Sequence, residues 1–166
     1  MIIGVVLTSF LILRERKPPA SEAEPGDISD WKDYVNKNWK YKLKYPSDWY
    51  INEGQDGIAV DILSYDVETK PYIKDPSKRI GITVFPNRQT MPPPNYPPGV
   101  IVQTKYINAG GIEAQEDILN DESKNRQIKW IWIEKNGILY WLVVSLENPQ
   151  TVKIFNQILG TFDFLE

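Results

Sequence analysis

The stretch Gln127–Glu147 reads QIKWIWIEKNGILYWLVVSLE, and its apolar residues alternate as in a pair of strands. Asn136-Gly137 is the preferred pair for a two-residue type I′ turn, because both central positions need a positive φ. Such a turn sets the register: Lys135 faces Ile138, Ile133 faces Tyr140, Trp132 faces Trp141, Ile131 faces Leu142 and Trp130 faces Val143. One face of the hairpin is then Ile131, Ile133, Tyr140 and Leu142, and the other is Trp130, Trp132, Trp141 and Val143. With both faces apolar, the pair belongs in the middle of a sheet, each side covered or one side open for binding.

The same period of two recurs upstream. In KYKLKYP, Lys40, Lys42 and Lys44 alternate with Tyr41, Leu43 and Tyr45, which predicts a strand with one buried and one wet face. Lysines on the wet face are expected to discourage edge-to-edge pairing. GIAVDIL (57–63), RIGITVF (79–85) and VIVQTKYI (100–107) predict further strands, and no long helical crossover separates them, so the sheet is expected to be antiparallel. One helix is well marked. Asn148 suits the N-cap, Pro149 the first helical position, Val152, Phe155, Ile158 and Leu159 an apolar stripe, and Gly160 the end. In the closing TFDFLE, an extended segment places Phe162 and Phe164 on one face. The expected fold class is α+β: an antiparallel β-sheet with a C-terminal helix packed on one face.

Composition narrows the chemistry. The 166 residues suit one domain with a tail, and a net charge of −3 without a basic run argues against nucleic acid, whose affinity depends on Lys and Arg neutralising phosphates. Cysteine and histidine are both absent, which removes disulfides, thiolate nucleophiles, zinc sites built on Cys or His, and Ser-His or Cys-His relays. NAGGIEA carries adjacent glycines but neither a Walker lysine nor a Gly-x-Gly-x-x-Gly fingerprint, so it predicts a turn between strands and no nucleotide. No cofactor is implied.

The N-terminal run Met1–Leu13 is apolar on every side and is followed at once by Arg14-Glu15-Arg16-Lys17. As a helix it spans about 20 Å, short of the roughly 30 Å hydrocarbon core. The expectation is a hydrophobic anchor over residues 1–17, uncleaved and shortened by an upstream start. A flexible linker is expected over 18–30, where KPPASEAEPGDISD is rich in Pro, Ala, Ser and acid, and a folded domain over 31–166. Basic residues on the inner side would keep the domain in the cytoplasm, whereas export would place it outside, so the charge rule and the export reading disagree.

Together, YKLKYPSDW, the mid-chain INAGGIEA, the late hairpin and the closing IFNQILGTFDFL resemble the PsbP-like family over residues 31–166. Its fold is shared with a nuclear import factor that binds the GTPase Ran. The resemblance implies an antiparallel sheet between helices, an α/β/α sandwich, and a bacterial domain tethered at the cell envelope, extracytoplasmic and without an assigned activity. Photosynthetic members serve a manganese and calcium centre with histidine among the proposed contacts, and no such contact carries over to a chain without histidine. The chain departs from the family in PNRQTMPPPNYPPG, with six prolines between Pro86 and Pro98 where members usually have a helix. A stiff extended loop is expected there, which leaves one sheet face less covered.

Within that frame YPSDW (45–49) is expected to be a corner: Pro46 stops pairing, Ser47-Asp48 turn the chain and Trp49 re-enters the core. An aromatic clamp for a sugar or peptide is the competing use. Glu113, Glu116, Asp117, Asp121 and Glu122 lack calcium-loop spacing and are expected to form a solvated acidic face, with no metal site. Asp61 and Asp66 suggest the alternative function, a carboxylate-dependent hydrolase acting on cell-wall glycan. The favoured expectation has no catalytic residue. It is a non-enzymatic, membrane-tethered binding or assembly module, with Trp130, Trp132 and Trp141 as a slab for an unknown protein or glycan partner, and with the membrane held through the N-terminal segment.

Overall fold

A computed structural model describes residues 27–69, 75–87, 96 and 100–166. The segments expected to form the hydrophobic anchor and most of the linker, and most of the proline-rich segment, lie outside the described residues. Within them no helix is long and apolar enough to cross a membrane.

The chain runs β1 (Lys32–Asn36), β2 (Tyr41–Tyr45), β3 (Tyr50–Glu53), β4 (Ala59–Leu63), β5 (Arg79–Phe85), β6 (Ile101–Ala109), β7 (Ile112–Asp121), β8 (Arg126–Lys135), β9 (Ile138–Ser145), α1 (Pro149–Thr161) and β10 (Asp163–Phe164). Seven strands form one sheet in the order β3-β4-β5-β9-β8-β7-β6, and β1-β2-β10 form a second. Every pairing is antiparallel. The expected hairpin register holds from Lys135↔Ile138 to Trp130↔Val143, and Asn136 and Gly137 both take positive φ at its turn. As its two apolar faces require, the hairpin sits inside the large sheet.

Helix α1 and the small sheet cover one face of the large sheet. The core between them contains Val60, Ile62, Ile80, Ile82, Ile131, Ile133, Tyr140 and Leu142 from the sheet, with Tyr41, Phe155, Ile158 and Phe162 from the cover. Burying aliphatic and aromatic side chains of this size contributes about 1.5–3 kcal/mol each before entropy is counted. Tyr140 crosses the layers: its hydroxyl donates to the Trp39 carbonyl at 2.9 Å, and its ring meets Tyr41 and Phe164 edge-on.

Two local expectations change. Gly160 is interior to α1, which runs on to Thr161, and the buried row is Thr151, Ile154, Phe155 and Ile158, while Val152 and Leu159 lie half-buried at its flanks. The lysines of β2 do not guard an edge, because β2 is the middle strand of its sheet. Instead Lys42 and Lys44 pair across it with Asp163 and Asp33, each directly opposite in register. The second helical layer of the sandwich is not found among the described residues.

A buried polar knot closes the β1–β2 turn. The Asn36 amide donates to the Gly57 carbonyl at 2.9 Å and accepts from the Trp39 amide at 3.0 Å. Gly57 has φ +68°, and a Cβ there would lie 2.6 Å from Asn36 Nδ2 and 2.9 Å from Glu53 Oε1. Gly57→Ala is therefore expected to destabilise the domain by about 2 kcal/mol, combining left-handed strain with overpacking. A urea midpoint equal to that of the parent would contradict this knot.

Candidate functional site

The second face of the large sheet carries the tryptophans. Alternation along β8 puts Trp130 and Trp132 on this face, and the turn brings Trp141 opposite Trp132. Trp132 and Trp141 stack at 5.5 Å with an 11° interplanar angle, and Trp130 stands edge-on to both at 5.6 and 5.3 Å. Phe85 of β5 approaches Trp141 at 6.5 Å. All three indoles are half-buried. Part of their cover is Tyr96, from the proline-rich segment, stacked on Trp130 at 5.8 Å and 22°. Among the described residues the Trp141 indole N–H is buried without a hydrogen-bond partner.

Asp117 holds this arrangement together. Its carboxylate, 0% exposed, accepts from the Tyr96 hydroxyl at 2.8 Å, the Thr104 hydroxyl at 2.7 Å, the Trp132 indole N–H at 3.0 Å and the Gln115 amide, 3.0 Å from each oxygen. Four donors from four places in the chain thus solvate a buried anion. Burial, and next the hydrogen bond to this carboxylate, push the Tyr96 phenol up to about 12, so at neutral pH it stays protonated and donating.

This corrects the expectation of a solvated acidic face. IEAQED and the residues after it form strand β7, and Glu116, Asp117 and Asp121 are buried. Alternation sends Glu116 and Asp117 to opposite faces, so the segment does not gather into one ligand set. Glu116 is instead clamped between Lys105 at 2.9 Å and Lys129 at 3.4 Å. The signal that could have found this strand is Gly110-Gly111. Both residues have positive φ and fold β6 back onto a partner of similar length, as the turn expected in NAGGIEA requires. Among the described residues no group of three or more acids is placed to hold a metal ion.

Asp61 accepts from Arg79 Nε at 2.7 Å, and Asp66 accepts from the Glu68 backbone within a turn. YPSDW is a corner: the Trp49 amide donates to the Pro46 carbonyl at 3.0 Å, and Pro46 and Trp49 are both buried.

No protein-family model and no curated protein sequence matches the chain. Solved structures do. The solution structure of cyanobacterial PsbP (CyanoP) from Synechocystis sp. PCC 6803 is 11% identical with a TM-score of 0.52, covering 83% of this chain and 94% of that one. A crystal structure from Bacteroides thetaiotaomicron VPI-5482 is 11% identical with a TM-score of 0.51 over 82% of this chain, which spans about half (49%) of that protein. LpqN of Mycobacterium tuberculosis, described as involved in cell envelope biogenesis, is 14% identical at a TM-score of 0.46, covering 82% of this chain and 91% of that one. The chain has the PsbP-like fold.

Proposed function

We propose that this protein is a non-enzymatic, membrane-tethered binding or assembly module of the cell envelope, with its domain on the extracytoplasmic side and its partner seated on the Trp130–Trp132–Trp141 slab. The observation that carries this reading is the slab itself. Three indoles in mutual contact occupy the face away from α1 and the small sheet. Large aromatics packed side by side suit an aromatic or proline-rich protein segment, whose rings lie flat against them. Tyr96, flanked by Asn95 and Pro97, already places one such ring on Trp130. The tether rests on the apolar run Met1–Leu13 and the polar linker after it, and the extracytoplasmic side rests on the resemblance to envelope-tethered members of the PsbP-like family. A hydrolase finds less support, since Asp61 is engaged by Arg79 and Asp66 by its own turn.

Tyr106, 63% exposed, lies on the slab side of β6 and offers a position for a photo-crosslinking residue. In intact cells we expect it to give one discrete adduct, lost in Trp130→Ala. An absent adduct, or one that persists in that variant, removes the slab from the function. Turnover of an activated glycoside that disappears in Asp61→Asn would replace the binding module by the hydrolase.

A further inference from the structure

The corner YPSDW has a second side. Its Pro46, Asp48 and Trp49, together with Trp31 and the first turns of α1, line a cleft of about 500 Å³ on the opposite side of the fold from the tryptophan slab. That volume falls within the range of small-molecule sites.

The lining is of an unusual kind for a mere packing gap. Trp31, half-buried, supplies indole surface, and Trp49, 7% exposed, lines the cleft from the core side. Gln150, Lys153 and Gln157 recur at spacings of three and four, so one flank of α1 presents all three to the cleft. Asp48 faces them from the corner. Among the described residues none of these four polar side chains has a hydrogen-bond or ion-pair partner, so their donors and acceptors remain available to a ligand. The charges in the lining oppose one another, Asp27 and Asp48 against Lys78 and Lys153, so the cleft has no net preference for an anion or a cation. Asn148, at the rim, spends its side-chain oxygen on the amides of Gln150 and Thr151 and keeps its amide N–H groups free.

We propose that this cleft binds a neutral saccharide. A sugar ring has an apolar face that stacks on indole and a rim of hydroxyls that both donate and accept. Amides, two carboxylates and two ammonium groups around indole surface match both features. A charged ligand would meet a repelling group of its own sign, and a purely apolar one would strip water from Asp48 and Lys153 without return. The proposal stands apart from the slab and does not depend on it.

The test uses the full-length chain in micelles with phosphocholine headgroups, since sugar-headed detergents would compete. Incorporating 5-fluorotryptophan at the six tryptophans gives separate fluorine signals for cleft and slab, assigned with Trp→Phe variants. Cellobiose and N,N′-diacetylchitobiose are titrated in turn, with glycerol as the control. The Trp31 and Trp49 signals should move saturably with at least one disaccharide, half-saturating on the order of 1 mM, while those of Trp130, Trp132 and Trp141 stay in place. Asp48→Ala and Gln157→Ala, at surface positions that leave the core intact, should each weaken binding about tenfold. The proposal is overturned if neither disaccharide moves the cleft signals by about 50 mM, well beyond that affinity. Linear drift equal to that with glycerol, or movement confined to the slab signals, overturns it equally.

Discussion

Asp117→Ala is expected to destabilise the domain by about 3 kcal/mol, even though it removes a charge from a fully buried position. The four donors around the carboxylate explain the sign. Truncation leaves the Trp132 indole N–H and the Gln115 amide facing a void, and it frees Tyr96 and Thr104 from their acceptor. Charge-assisted hydrogen bonds of this kind contribute about 1.5–3 kcal/mol, and several on one anion do not add in full. Asp117→Asn should cost much less, about 1 kcal/mol, because hydroxyls can turn to accept. Its oxygen can serve Trp132 while its amide donates to the Thr104 hydroxyl. Urea unfolding followed by tryptophan emission separates the two variants. If Asp117→Ala loses no more than Asp117→Asn, the carboxylate is not what holds Tyr96 and Trp132 in place.

Tyr140→Ala should cost still more, about 4 kcal/mol, the usual range for emptying an aromatic site in a packed core. Tyr140 is 2% exposed and lies where the large sheet, the small sheet and the chain's end meet, touching Tyr41, Phe162 and Phe164. Tyr140→Phe keeps the ring and removes only the hydrogen bond to the Trp39 carbonyl, for about 1 kcal/mol. Against a typical total stability of about 5–15 kcal/mol, the alanine variant leaves a narrow margin. Hydrogen exchange at the β2–β10 pairing should rise with it, since this residue ties the small sheet down. An exchange pattern unchanged at Lys42 and Asp163 would show that the small sheet is held by α1 alone.

The parts of the fold legible in the sequence were those governed by neighbouring residues. Asn136-Gly137 determined a register of strand partners because a type I′ turn admits few alternatives. Alternation then sorted the indoles from the isoleucines, and the Asn148-Pro149 cap placed the start of α1. Strand β7 was missed because it shows no apolar alternation, and even its burial breaks the period of two at Glu116 and Asp117, adjacent and both buried. Glu116 and Asp117 read as wet when taken alone, and their burial depends on Lys105, Lys129 and Trp132, which other strands bring alongside. The lysines of β2 were misjudged for a related reason. Whether a strand is an edge depends on what pairs with it, and β10 comes from the far end of the chain.

By itself the sequence determined the central hairpin, its two faces, the capped helix and the absence of thiol and imidazole chemistry. These follow from turn geometry, side-chain alternation and composition, which act over a few residues or over none. Only the tertiary structure decided that β5 flanks β9, that Asp117 lies against Trp132 under Tyr96, and that YPSDW and α1 enclose a cleft. Each of those joins segments far apart in the chain. Loop-closure entropy opposes every such meeting by only a few kcal/mol at most and favours none in particular, so the choice among them falls to the packing of the whole core.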